Sequence, residues 1–422
     1  MITRRDFLKM AGTTPLLLSG SGMLLGVGNL SCSGGSRSQT DDARSSGSSD
    51  SEPVDHTDND STDHTHTTTE CTVYLVKNGD CFQNIQKLWE LAGGSTLIEK
   101  DDVVVIKANG QWPFQGYTHT GCIKAVIDEI LAIPSFSGEI LICDNVQANG
   151  VAGATGFDAV SAKRVHNWPD YNWNELAAYY QSLNKPVAVK AWINGSGISH
   201  PSEGEGWVRH FFNFHGNNAY FSYPVFKSPL TAGRMIDMKN GVWEDGAYTG
   251  RNVKAIYMPA LNNHGSGGAE DYAGVTSAIK CFFGATEIHN GEDCTSGRYN
   301  GYANVHTASF SCGGDSGALY AGELAALYIK TMYRPVLYIT AAMWSGHESR
   351  TGGATETKTV LACTNPATLD YVACREVIGK INPNLDPDDD NKTRDQIIGC
   401  INGGVGSIAD GFFSVVRYDF NA

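Results

Sequence analysis

Val103-Val104-Val105-Ile106-Lys107-Ala108-Asn109-Gly110 is the stretch on which the reading of this chain turns. Four β-branched apolar residues in a row leave no polar face, so this is a strand covered on both sides, as in a parallel sheet layered with helices. The run ends in Lys, Asn and Gly, and ligands of open parallel sheets gather at such carboxyl ends. Working outward, Thr72 to Val76 reads as a strand and Phe82 to Leu91 as a helix. Ile123, Val126, Ile127, Ile130 and Leu131 repeat at i, i+3, i+4, i+7 and i+8, one face of a helix. Glu139 to Cys143 is the next strand. The β-α-β-α-β order predicts an α/β fold with a mostly parallel, helix-covered sheet.

Between about residues 150 and 250 the periodicity blurs, and Trp168, Trp173, Trp192, Trp207, Phe211, Phe212, Tyr220 and Trp243 crowd the segment. It reads as an aromatic-rich insertion or second lobe with short strands and long loops. Order returns with a strand at Val253–Met258, a helix at Tyr272–Phe283, a helix at Ala318–Met332 and strands at Val336–Thr340 and Thr359–Cys363. Asn365 caps a further helix with Pro366 at its first position.

The N-terminus carries a different kind of signal. Thr3-Arg4-Arg5-Asp6-Phe7-Leu8-Lys9 precedes the apolar run Pro15–Leu25, the pattern of a twin-arginine export signal. That run is far shorter than the roughly 20 apolar residues of a spanning helix. Residues 1–31 are therefore expected to be a signal peptide read by the twin-arginine machinery, with the protein working in the periplasm or at the cell-envelope surface. Cys32, after Asn29-Leu30-Ser31, is either the lipidated residue of a lipoprotein signal, tethering the chain to a membrane, or simply the start of a spacer. Residues 32–70 are Ser, Thr, Asp and His with almost nothing apolar, and read as a disordered acidic linker. The domain is then 71–422.

The formal net charge of −14 includes nine acidic residues against one arginine between Asp41 and Glu70. Without a basic stripe, nucleic acid is not an expected partner. The chain has 11 cysteines and no C-x-x-C, so cysteine-clustered iron–sulfur or zinc binding is not expected, while export favours disulfides. No dinucleotide fingerprint is present. Cofactor identity is open: a metal or organic group preloaded before export is one reading, rapid folding alone the other.

Three segments resemble a known family. They are Val103–Gly110 followed by His119-Thr120; Ile256-Tyr-Met-Pro259-Ala-Leu261-Asn-Asn-His264-Gly265 leading into Val275-Thr276-Ser-Ala-Ile-Lys280-Cys-Phe-Phe-Gly284; and Val360–Arg375 around Pro366 and Asp370. Together they resemble the DUF362 family, whose pattern runs "IKPN", "PKLKTH", "VTGALKN.FG" and "DPVAVDA". Ala260 and Asn262 stand where that family has lysines, and Ala108 where it has proline. The ferredoxin module of many relatives is missing. The resemblance runs through Lys107, His264 and Lys280 and implies a shared site.

Read physically, Lys107 and Lys280 are cations that would orient a small anionic ligand, and His264 would move a proton or ligate a metal. These three are the catalytic candidates. Asn109, His119, Asp144, Gly265 and Thr276 are the ligand-binding candidates, because each follows a predicted strand or opens a helix. His264 and His347 are the metal candidates. Asp370 reads as a structural, helix-terminal residue, and His210 and His215 as packing residues. Cys312-Gly-Gly-Asp315-Ser316-Gly looks like a serine-protease motif, but a helical pattern follows it, so Asp315 or Ser316 is expected to be an N-cap. The two functional expectations are an enzyme-like domain acting on an anionic small molecule, and a non-catalytic surface protein whose aromatic loops bind glycan or peptide.

Overall fold

A computed structural model of the chain describes residues 71–110, 115–145, 168–192, 196–265, 273–288, 298–349 and 352–422. The expected signal peptide and linker, Cys32, Cys294 and the Ser266-Gly267-Gly268 stretch that follows Gly265 lie outside the described residues. In chain order the strands are β1 (Cys71–Lys77), β2 (Val103–Ala108), β3 (Glu139–Asn145), β4 (Val187–Trp192), β5 (Gly206–Phe214), β6 (Asn217–Lys227), β7 (Met235–Asp237), β8 (Gly241–Glu244), β9 (Ala247–Tyr248), β10 (Val253–Met258), β11 (Leu261–Asn263), β12 (Val275–Thr276), β13 (Arg298–Tyr299), β14 (Tyr302–Asn304), β15 (Leu337–Gly346), β16 (Ala354–Cys363) and β17 (Phe413–Asp419). The longer helices are α1 (Cys81–Leu91), α2 (Thr120–Leu131), α3 (Trp173–Ser182), α4 (Gly317–Thr331), α5 (Pro366–Ala373) and α6 (Lys392–Asn402).

The main sheet has the order β17-β1-β16-β15-β10-β2-β3-β4. β15, β10, β2, β3 and β4 are mutually parallel, and on this path β16 alone runs against the rest. The fold is α/β with a mostly parallel central sheet. Every residue of β2 is buried, as the unbroken apolar run requires. Its even-numbered residues Val104 and Ile106 pack with α1, α2 and α3 through Ile85, Leu88, Ile123, Val126, Ile127, Ile130 and Leu176. Its odd-numbered residues Val103 and Val105 face the opposite layer, built from Phe221, Val225, Phe282, Leu324 and Ile397.

That second layer is where the sequence reading needs correction. The aromatic segment is a second, antiparallel sheet of β5–β9, completed by β13 and β14 from after residue 297. The boundaries at 150 and 250 therefore do not hold: α3 and β4 belong to the main sheet and its helical cover. β5 and β6 meet through the two-residue turn His215-Gly216, with φ of 48° and 78°. Positive φ at both positions is the mirror-image turn that matches strand twist. His215 thus sits at a hairpin tip, stacked on Tyr320 at 4.2 Å and 2.5 Å from Glu323, while His210 stacks on Phe221 at 5.5 Å.

The first β-α-β also differs from a simple neighbour order, because β16, β15 and β10 lie between β1 and β2. The helix expected at Tyr272–Phe283 is instead β12 followed by a 3-10 helix, Ile279–Ala285. The strand expected at Val336–Thr340 continues to Gly346. Ser316 occupies the N-cap position of α4 but makes no side-chain cap hydrogen bond, since a 3-10 turn, Gly314–Ser316, runs directly into the helix. Asn365 does cap α5, accepting from Ala367 N and Thr368 N. Cys312 is disulfide-bonded, whereas eight other described cysteines carry thiols. No helix among the described residues is long and apolar enough to cross a membrane.

α4 and α6 cross in backbone contact. A Cβ at Gly399 would lie 2.0 Å from Leu319 O, and one at Gly322 would lie 2.0 Å from Gln396 O. Gly399→Ala should therefore force the helices apart and cost about 1–3 kcal/mol through overpacking, outweighing the helix-propensity gain of alanine. Denaturant midpoints of wild type and variant, at equal m-value, measure this; an unchanged midpoint would contradict the close crossing.

Candidate functional site

The carboxyl ends of β2, β3, β10 and β15 carry most of the candidate residues. Lys107 is the last charged residue of β2 and only 1% exposed. A buried ammonium needs a counter-charge, and Lys107 Nζ lies 3.1 Å from Asp144 Oδ1 on β3. Asp144 also accepts from Gly110 N at 2.8 Å and Asn145 N at 2.9 Å. Burial works most strongly against the ammonium, but Asp144 and Cys281 together outweigh it, and the Lys107 pKa is raised. At Asp144 burial raises the carboxyl, opposed by Lys107 and the two amides. Three donors on one carboxylate make this an ionic pair. Gly284 closes over it: a Cβ there would sit 2.3 Å from Lys107 Nζ and 2.4 Å from Asp144 Oδ1. The Lys107 amine is thus committed to Asp144 beneath the 3-10 helix.

His264 and Lys280 form a separate group. β11 pairs with β12 so that Asn262 lies opposite Thr276, and His264 Nδ1 lies 3.2 Å from Thr276 Oγ1. The His264 ring is parallel to Phe310 to within 15° at 6.5 Å. Lys280 Nζ lies 5.1 Å over the same ring and donates to Ala273 O at 3.1 Å. Phe310 thus joins the histidine and the lysine. The 3-10 helix connects this group to the ion pair, since Lys280 and Gly284 are four residues apart, about 8 Å at roughly 2 Å of rise per residue.

Asp370 holds that helix in place. From α5 its carboxylate accepts Ala278 N and Ile279 N, each at 2.8 Å, satisfying amides at the start of the 3-10 helix. Burial pushes its carboxyl up to about 7, against the pull of those amides, Ser277 and Lys280. It serves a helix terminus, though of a helix other than its own.

A third group lies along the same edge. Gln115 Nε2 donates to Asn263 O at 2.7 Å, and Asn262 bridges Gly116 O and Gly346 N, each at 3.0 Å. Gly265 N donates to Asn263 Oδ1 at 2.9 Å, which makes Gly265 part of this turn. Asn109 is tied by its backbone to Thr118, whose hydroxyl also reaches Met258 O. Asn145 Nδ2 donates to Thr286 O at 2.6 Å. These bonds fix both amide orientations, and the acceptors Gln115 Oε1 and Asn145 Oδ1 are buried with no partner among the described residues. His119, at the N-cap position of α2, likewise has a buried Nδ1 without a partner. Burial alone lowers its pKa to about 4, so the ring is neutral at neutral pH. Buried polar atoms are nearly always satisfied, so such atoms at a ligand edge call for an explanation.

Gln115 was not among the candidates read from sequence, and Asn145 stood out only as the neighbour of Asp144 after a predicted strand. Their one signal is position, just after β2 and at the end of β3. His347 follows β15 directly; it is half-buried, and its backbone carbonyl accepts from Asn382 Nδ2 at 2.6 Å. Among the described residues no group of three or more His, Cys, Asp or Glu is placed to hold a metal ion. No family model, no curated protein and no solved structure matches the chain.

Removing one partner of the ion pair should be costly. Lys107→Met leaves a buried carboxylate and should destabilise by about 3–5 kcal/mol, whereas Lys107→Met with Asp144→Asn should recover a large part of that. Chemical denaturation of the two singles and the double provides the cycle; additive losses would show the groups are not coupled.

Proposed function

We propose that this protein binds a small, neutral, hydroxyl-rich molecule, a polyol or sugar, at the carboxyl edge of its parallel strands. The observation that carries this is the pair of buried, partnerless acceptors, Gln115 Oε1 and Asn145 Oδ1, both fixed in orientation. Two orphan carbonyls call for hydrogen-bond donors, which hydroxyls supply and carboxylates and phosphates do not. Neutral His119 adds a nitrogen that accepts or donates according to tautomer. The charge balance favours the same choice over the anionic ligand expected from the lysines: Lys107 is neutralised by Asp144, and Lys280 lies in the field of Asp370. In this reading Lys107, His264 and Lys280 build the floor of the edge rather than react.

Titration calorimetry with a panel of polyols and sugars, against dicarboxylates and phosphate, tests the proposal. A hydroxylated ligand should bind, and Asn145→Ala should weaken it about 3–10-fold, the worth of one hydrogen bond. His119 itself should add no pH dependence from neutral pH down towards pH 5, because its pKa lies near 4; a change in binding around pH 7 would instead report Asp370, which anchors the 3-10 helix. Saturable binding of the anions alone would overturn it.

The reading includes export by the twin-arginine route to the periplasm or envelope surface, supported by Arg4-Arg5 and the polar segment 32–70. Replacing Arg4 and Arg5 together by lysine should leave full-length protein in the cytoplasm on cell fractionation. Unchanged export would remove this part.

A further inference from the structure

Cys71 and Cys363 occupy neighbouring strands at the end of the main sheet remote from β4. The β1–β16 ladder sets Tyr74 opposite Ala362, which places Val73 across from Cys363. Cys71 lies two residues further along β1, on the same face, and is therefore a diagonal neighbour of Cys363. The paired register ends at Tyr74 and Ala362, so no ladder bond to β16 holds the Cys71 end of β1 in place. The two sulfurs stand 3.7 Å apart, both as thiols. Cys363 is 1% exposed and its sulfur accepts from Asn365 N at 3.3 Å, at the start of α5. Cys71 is half-buried and so is the thiol a reagent meets first.

We propose that Cys71 and Cys363 are a site of oxidative cross-linking, closing to a disulfide that staples the first described strand to β16. The chemistry is thiol–disulfide exchange with a small or protein disulfide as the oxidant. The Cys71 thiolate attacks one sulfur of that disulfide, forming a mixed disulfide and releasing the other half as a thiol. The Cys363 thiolate then attacks the Cys71 sulfur, forming the Cys71–Cys363 bond and releasing the second half. Two cysteines are oxidised, one external disulfide is reduced to two thiols, and the two cysteine protons end on them. Cys71 and burial push the Cys363 thiol up, and the amide of Asn365 at the helix start, donating to its sulfur, opposes them in part. The bond encloses most of the domain, since the residues are 292 apart in sequence. A cross-link over so long a loop constrains the unfolded chain most.

The test uses the whole chain, purified with thiols reduced and then incubated with oxidised glutathione. Alkylation, digestion and mass spectrometry without reductant should give one peptide joining Cys71 to Cys363, with the disulfide of Cys312 as the control that oxidation was effective. Oxidised wild type should melt at a higher temperature than reduced wild type. In Cys71→Ser that difference should shrink to the share contributed by the Cys312 disulfide, while the reduced protein melts like reduced wild type, which separates loss of the bond from misfolding. Three results would overturn the proposal: both cysteines alkylated after oxidation, Cys71 carrying glutathione only, or Cys71 joined to another cysteine. None of these depends on ligand binding at the opposite end of the sheet.

Discussion

A strand buried on both faces can end in a lysine only if the charge is met inside the protein. Much of the described architecture around the carboxyl edge answers that constraint. β2 runs between a layer of helices and a layer made of a second sheet with further helices, so Lys107 has no route to water. Asp144 meets it from the adjacent strand, and the amides of Gly110 and Asn145 complete the carboxylate. A glycine must then lie above the pair, because any Cβ at Gly284 would collide with both charges. The 3-10 helix that carries this glycine is anchored at its other end by Asp370 from α5. One buried cation thereby links β2, β3, the segment 279–285 and α5.

This linkage also separates framework from ligand chemistry. The charged groups that stand out in the sequence are consumed by one another or by backbone carbonyls. Among the described residues, the unsatisfied side-chain atoms at the edge are uncharged and include two amide oxygens and a neutral imidazole. An unpaired buried carbonyl costs on the order of 1–3 kcal/mol. Such atoms at the carboxyl ends of parallel strands are therefore a more selective pointer to a ligand than a lysine–aspartate pair, which is complete already. Glycines fit the same picture of close approach: α4 and α6 touch through Gly322 and Gly399, just as the 3-10 helix touches the ion pair through Gly284.

Much of the main sheet was legible because its signals are local. Continuous apolar runs marked β2 and β3, helical periodicity marked α2, and Asn365-Pro366 marked the start of α5. Segment 272–283 misled because its apolar residues suit a helix. Asn262 and Asn263 pair instead with Thr276 and Val275 across the sheet, and Asp370 reaches in from residues far along the chain to start a shorter, tighter turn. The second sheet was blurred for a related reason: β14 joins β6 from more than seventy positions away, which no local pattern announces. β17 and α6, near the C-terminus, were missed altogether. β17 is half-exposed along an edge, so its burial pattern carries little contrast.

The sequence by itself determined the layered α/β class, the positions of buried strands such as β2 and β3, and that a cation stands at the end of β2. The first two follow from hydrophobic burial, which acts on residue type. Only the tertiary structure decided that Asp144 pairs with Lys107, that His264 and Lys280 meet at Phe310, and that Gln115 and Asn145 carry unmet acceptors. It likewise brought Cys71 within reach of Cys363. Those facts depend on strand order, register and the approach of distant backbone, and pairwise distance between remote residues is not encoded in any short stretch of chain.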